Sequence, residues 1–242
     1  MLSQLLATLV GLMAGAALRP VVVALAVPAG QLANITCPAC TPRPVPAVGL
    51  HVLRLLPPSG RCPNCHGRLC APWLPELTTA AAFTVVAAGG AIGWYAAAQY
   101  WIALLGAGLL LIDSAVQRLP NPLTLAAAVG TLALLTAASA HHEAGSLLRA
   151  AVVAAAAGGL FTVFAALGTT GLGDAKLAIS LGAVLGWHSW QAAVLALVLT
   201  YLLGATAAVL LLLTRRGHRK STLAFGPFLI VGTLGAALIT SS

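Results

Sequence analysis

Apolar residues run along this chain in stretches of roughly 20, the length at which an α-helix crosses the hydrocarbon core of a bilayer. Matching that template to the sequence predicts helices near 3–27, 76–94, 96–113, 122–140, 147–168, 174–188, 191–213 and 223–240, the sixth being short. Several connections are tight enough that six or seven spans also fit, but eight fits best. The separators carry turn chemistry. Leu119-Pro120-Asn121-Pro122 ends one helix, because proline lacks the amide donor and restricts the residue before it. Gly168-Thr169-Thr170-Gly171-Leu172-Gly173 interrupts another apolar run. Trp94, Tyr95, Tyr100 and Trp101 bracket one connection and Trp187 and Trp190 flank another, a placement typical of the membrane–water interface.

Composition agrees with this pattern. Of 242 residues, 60% are hydrophobic and 7% charged, and the mean hydropathy is +1.00. A soluble domain would carry roughly a quarter charged residues, so a water-soluble fold is excluded and membrane lipid is the expected surrounding. The expected class is an all-α, polytopic transmembrane bundle of about eight spans with one polar loop, residues 28–75. The implied division is a first transmembrane helix (1–27), that loop (28–75) and a transmembrane core (76–242). The first basic residue, Arg19, follows the first apolar run instead of preceding it, so this run reads as a retained helix and not as a cleaved signal peptide.

Charge sets the orientation. The 12 Lys and Arg outnumber the 4 Asp and Glu, for a net +8. Scattered over several loops, these cations fit retention on the cytoplasmic side better than nucleic-acid binding, and no nucleic-acid partner is expected. With eight spans, one side receives Arg43, Arg54, Arg61, Arg68, Arg118, Lys176, Arg215, Arg216, Arg219 and Lys220, and the other Arg149. The 28–75 loop is therefore expected in the cytoplasm, with both termini outside.

That loop holds Cys37-Pro-Ala-Cys40 and Cys62-Pro-Asn-Cys65, 21 residues apart. Two Cys-x-x-Cys pairs at this separation read as a zinc ribbon, four thiolates closing a structural tetrahedral site. A metal would supply folding energy that so short a segment lacks. Disulfides or free thiols are the alternative, and a reducing cytoplasmic location argues against the former. Cys70 is left over, and His66 is a weaker candidate ligand.

The chain has two aspartates, Asp113 at the end of the third apolar run and Asp174 at the start of the sixth. Those helices run in opposite directions, so both acids fall at one membrane face, the side of the cysteine loop. Ionisable groups at membrane depth are costly. Asp174 could simply cap its helix; Asp113, at a helix C-terminus, cannot be explained as a cap. Together they suit aspartic-protease chemistry, in which two close carboxylates share one proton and activate a water against a peptide carbonyl. Gly171 and Gly173 would let backbone approach a substrate closely.

The same stretches resemble the type IV prepilin peptidases, the GxGD class of membrane aspartic proteases. The resemblance rests on Asp113 followed by Arg118-Leu119-Pro120-Asn121, on Gly171-Leu172-Gly173-Asp174-Ala175-Lys176-Leu177, and on Phe225-Gly226-Pro227-Phe228-Leu229. Cys37, Cys40, Arg61-Cys62, Cys65 and Pro75-Glu76-Leu77 fit the cytoplasmic loop of the longer members. It implies an endopeptidase of the cell inner membrane, serving a type IV pilus or protein secretion. It would remove the short basic leader of prepilins or pseudopilins at the cytoplasmic face, after a glycine that precedes the substrate's apolar helix. Asp113 and Asp174 would be the catalytic pair, Lys176, Gly226 and Pro227 would support the site, and Zn2+ would be the structural metal. One departure is visible: where longer members carry a Gly-Ser-Phe-Leu-Asn-Val-Val type stretch, this chain reads Gly15-Ala16-Ala17-Leu18-Arg19-Pro20-Val21. Many members also N-methylate the new terminus with S-adenosylmethionine, and this departure counts against that activity here.

Glu76 suits the start of its helix, with substrate or cofactor contact as a second possibility; His141-His142-Glu143 reads as a solvated outer turn and His188 as interfacial. The competing readings are another GxGD intramembrane protease, of the signal-peptide-peptidase kind, and a non-catalytic zinc-ribbon scaffold or transport component. Cleavage within spanning segments would mark the first, and indifference to loss of either aspartate the second.

Overall fold

The computed structural model describes residues 1–27, 34–35, 45–46, 59–62, 65–67, 71–214 and 224–241. Cys37, Cys40, Cys70 and the run Arg215–Lys220 lie outside them. The described chain forms eight helices: α1 (Leu2–Leu25), α2 (Leu74–Ala88), α3 (Gly93–Val116), α4 (Asn121–Ala140), α5 (Leu147–Ala166), α6 (Leu172–His188), α7 (Trp190–Leu213) and α8 (Gly226–Ser241). A two-residue antiparallel pair, β1 (Asn34–Ile35) with β2 (Val45–Pro46), is the strand structure among the described residues. Each of the eight apolar runs coincides with one helix. Five, α1, α3, α4, α5 and α7, are long and apolar enough to cross a membrane, whereas α2, α6 and α8 have 15, 17 and 16 residues.

Many large apolar side chains cover the outside of the bundle, and its tightest helix pairs pack through small residues. Leu148, Leu132, Val194 and Leu213 are exposed. On α1, a Cβ on Gly11 would stand 2.6 Å from the Ala80 Cα, and one on Gly15 would stand 2.5 Å from the Glu76 Cα. On α6, Cβ atoms on Gly182 and Gly186 would stand 2.7–3.2 Å from Val153, Ala154 and Ala150 of α5. Both pairs are spaced Gly-x-x-x-Gly, which lets backbones touch where lipid supplies no hydrophobic drive between helices. The third tight pair is α7–α8, where Gly232 lies against Thr200. Helix α3 runs through the middle, packing on α1, α2, α4, α6 and α8, with Leu109 and Ile112 fully buried.

At the end of the bundle away from the aspartates, scarce charges finish helix ends. Glu143 accepts from the Trp94 and Tyr95 N–H groups at 2.6 and 2.9 Å, capping α3. Arg149 donates to the Gly186, Trp187 and His188 carbonyls that close α6. The His141–Glu143 turn is thus exposed at both histidines, as expected, but its carboxylate is engaged and its His141 ring stacks on Trp94. Two aromatic expectations need correcting. Trp187 is buried, because its ring lies directly over Gly145 where a side chain would collide with it. Tyr100 and Trp101 lie two turns inside α3, against Phe83 and the Ala126 carbonyl, because the α2–α3 connection is complete by Gly93.

Candidate active site

Asp113 and Asp174 line one cavity of about 440 Å³ at the end of the bundle where α3 finishes and α6 and α8 begin. Both are buried, 5% and 6% exposed, and Asp113 lies within range of the Asp174 charge. Span parity places both acids at one face, and the structure puts them in one cavity there.

Asp113 does not end its helix. α3 continues one turn to Val116, and Gln117 closes it in the left-handed region at φ 50°. A single acid does not stop a helix; the turn and Pro120 do. Its carboxylate is also used structurally after all: Oδ2 accepts the Gly226 N–H at 3.1 Å, across 113 residues of sequence. An N–H at the start of α8 thus finds its acceptor on α3 instead of on a local cap. Gly226 is needed for closeness: a Cβ there would stand 2.7 Å from that same oxygen. Pro227 is the second residue of α8, a position that needs no donor, so it starts the helix and kinks nothing.

Asp174 is the third residue of α6, and its Oδ2 accepts the Gly171 N–H at 3.0 Å while its own N–H donates to the Gly171 carbonyl. The two acids are thus held alike. One oxygen of each is fixed by a glycine amide, and the other, Oδ1, accepts no hydrogen bond among the described residues. Gly173 lets Leu119 sit against the first turn of α6, since a Cβ would approach the Leu119 Cβ to 2.8 Å. Lys176 is exposed, and its Nζ donates to Asn121 Oδ1 at 2.7 Å. Arg118, Thr170 and Phe225 also line the cavity. Phe225 anchors a cluster with Phe161, Tyr201 and Phe228, ring centroids 5.5–6.4 Å apart.

The remaining candidates lie elsewhere. Glu76 is 2% exposed and forms an ion pair with Arg19, itself 1% exposed, between α1 and α2. The helix-dipole reading missed that partner. The available signal was scarcity: a buried acid in so apolar a chain needs a cation. Cys62 and Cys65 share a tight turn in which Cys62 N–H donates to the Gly67 carbonyl at 2.8 Å and His66 N–H to the Cys62 carbonyl at 3.0 Å. Among the described residues, no three His, Cys, Asp or Glu form a metal-binding group.

An apolar helical bundle with two buried acids in a shared cavity defines a membrane protein equipped for acid–base chemistry at one end. The model of the type IV leader peptidase family matches residues 100–213, a stretch containing both aspartates. Proteins named prepilin leader peptidase/N-methyltransferase from Aeromonas salmonicida and Aeromonas hydrophila are 33% identical over 200 residues, covering 81% of this chain and 67% and 68% of theirs. One of the same name from Pseudomonas aeruginosa is 31% identical over 212 residues, covering 83% of this chain and 69% of its own. No solved structure matches. The chain belongs to the type IV leader peptidase family.

Proposed function

We propose that this protein is an aspartic endopeptidase that removes the basic leader of prepilins or pseudopilins at the cytoplasmic face of the inner membrane. The observation that carries this reading is the shared cavity, in which Asp113 and Asp174 each keep one oxygen without a hydrogen bond among the described residues. Family membership and the relatives' names supply the substrate class.

In this reaction the ionised member of the pair takes a proton from a water, whose oxygen attacks the scissile carbonyl carbon. The protonated member hydrogen-bonds the carbonyl oxygen, and the amine leaves as it receives a proton from the pair. The two proton affinities belong to the pair and not to either residue. Gly171 and Gly226 hold the carboxylates through their amides, Gly173 and Lys176 fix the start of α6, and Pro227 starts α8.

The assignment of all eight helices as spans rests on their coincidence with the eight apolar runs, and the cytoplasmic placement on the ten-to-one division of basic residues. On the same basis the chain divides into a first helix (1–27), a loop (28–75) and a peptidase core (76–242). In the loop Cys37, Cys40, Cys62 and Cys65 would hold Zn2+; the tight Cys62–Gly67 turn and the soft thiolate donors fit such a site. When bound, that metal would supply folding energy to the loop and would take no part in cleavage. Metal analysis of the purified chain should return about one zinc per protein and none after Cys62→Ser. Methyl transfer from S-adenosylmethionine is outside the proposal, because Gly15–Val21 departs from the family pattern.

The test is cleavage of a purified prepilin by the purified protein in liposomes, read by N-terminal sequencing of the product. A single cut after a glycine ahead of the apolar helix is expected. Cuts inside the apolar segment would favour the intramembrane-protease alternative, and an intact substrate would favour the scaffold.

A further inference from the structure

The acids sit on helices α3 and α6, and the α3–α4 corner, residues 117–120, lies between them at the cavity wall. This corner leaves directly from Asp113: the Gln117 N–H that closes α3 donates to the Asp113 carbonyl at 2.8 Å. It then grips the start of α6 on both sides of Asp174. One residue before that acid, Leu119 occupies the space a side chain on Gly173 would fill. Two residues after it, the Lys176 ammonium donates to Asn121 Oδ1 at 2.7 Å. The far side of the corner is tied to the end of α1, where Arg118 donates to the Val27 carbonyl at 3.4 Å.

We infer that the α3–α4 corner is a positioning device that sets the separation of the two carboxylates, with Leu119, Asn121 and Lys176 as its working residues. The inference rests on Asp113 and Asp174 being the reacting pair. The placement of Lys176 supports it. Lys176 is the fifth residue of α6, and its long side chain gives up rotamer freedom to hold one acceptor. Asn121 provides that acceptor, and its bond joins the first residue of α4 to the first turns of α6. A pair that must share one water tolerates little displacement, since a shift of about 1 Å can cost on the order of a hundredfold in rate. None of the three residues need touch substrate to exert this effect.

The test uses the full chain in liposomes with a prepilin substrate, and separates kcat from KM. Asn121→Leu and Lys176→Met should each lower kcat about tenfold or more with KM within about twofold. The combined variant should be no worse than either alone, because both remove one bond. Asn121→Asp, which keeps an acceptor for Lys176, should stay within about threefold of wild type. The buried half of the grip has its own rescue: Gly173→Ala should lose kcat, and Leu119→Gly should restore part of it by removing the Cβ that the new side chain would meet at 2.8 Å. Unchanged kcat in both single variants, a loss confined to KM, multiplying losses in the combined variant, or absence of rescue would each overturn the positioning role. Asp113→Asn in the same assay separates the two levels. If it cleaves like wild type, the catalytic reading itself fails; if it is inactive while Asn121→Leu is normal, only the corner's role fails.

Discussion

Glu76 and Asp174 occupy equivalent places: each is the third residue of its helix, each is almost wholly buried, and each lies where helix amides welcome an anion. Their surroundings differ. Glu76 meets the buried Arg19 guanidinium, on a helix whose Gly15 presses against the Glu76 backbone. Its charge is cancelled in a closed seam. Asp174 instead faces a cavity that also holds Asp113, with one oxygen fixed by the Gly171 amide and the other unbonded among the described residues. Burial and helix position alone therefore do not mark a reactive acid. What distinguishes Asp174 is a second acid and room for a reactant; an oxygen without a hydrogen bond does not, since Glu76 Oε2 has none among the described residues either.

This contrast is open to direct attack. Asp113→Asn or Asp174→Asn should lower prepilin cleavage by at least about 10³-fold, with normal amounts of protein in the membrane on immunoblot. Glu76→Gln should do the opposite. Leaving Arg19 buried without its counter-charge costs about 3–5 kcal/mol, seen as a lower thermal unfolding temperature, while turnover per folded molecule stays near wild type. A stable but inactive Glu76→Gln would break the comparison by moving Glu76 into the chemistry. Gly226→Ala should sit between these: the new Cβ would crowd Asp113 Oδ2 at 2.7 Å. The expected outcome is a loss of about tenfold in kcat with little change in unfolding temperature. Smallest of all, Glu143→Gln should cost about 0.3–1 kcal/mol of stability through its weakened hold on the α3 amides and leave cleavage unaltered.

Much of this architecture was legible in the residues, and the reason is physical. Where water is scarce, backbone groups pair within their own segment, so each apolar run becomes a helix without tertiary information. The pairing of Asp113 with Asp174 followed from span parity, which needs only the number of helices between them. Contacts between distant segments were not legible. Asp113 binding Gly226, Arg19 meeting Glu76 and Glu143 capping α3 join residues 113, 57 and about 49 apart in sequence, and no local periodicity encodes them. An acid in an apolar run looks like a boundary, which predicts the end of α3 three residues short, whereas the backbone yields only at Gln117. Trp187 was assigned to the interface from its aromatic neighbours, while the decisive residue was Gly145, 42 positions away, whose missing side chain makes room for its ring.

The central claim is that Asp113 and Asp174 work as one unit on a single water. The most direct measurement is the cleavage rate of the double variant Asp113→Asn/Asp174→Asn beside both single variants, in liposomes with matched protein amounts. The account predicts that all three fall to the same residual rate, because removing either acid already disables the unit. Losses that multiply in the double variant, or a single variant that turns over like wild type, would contradict it.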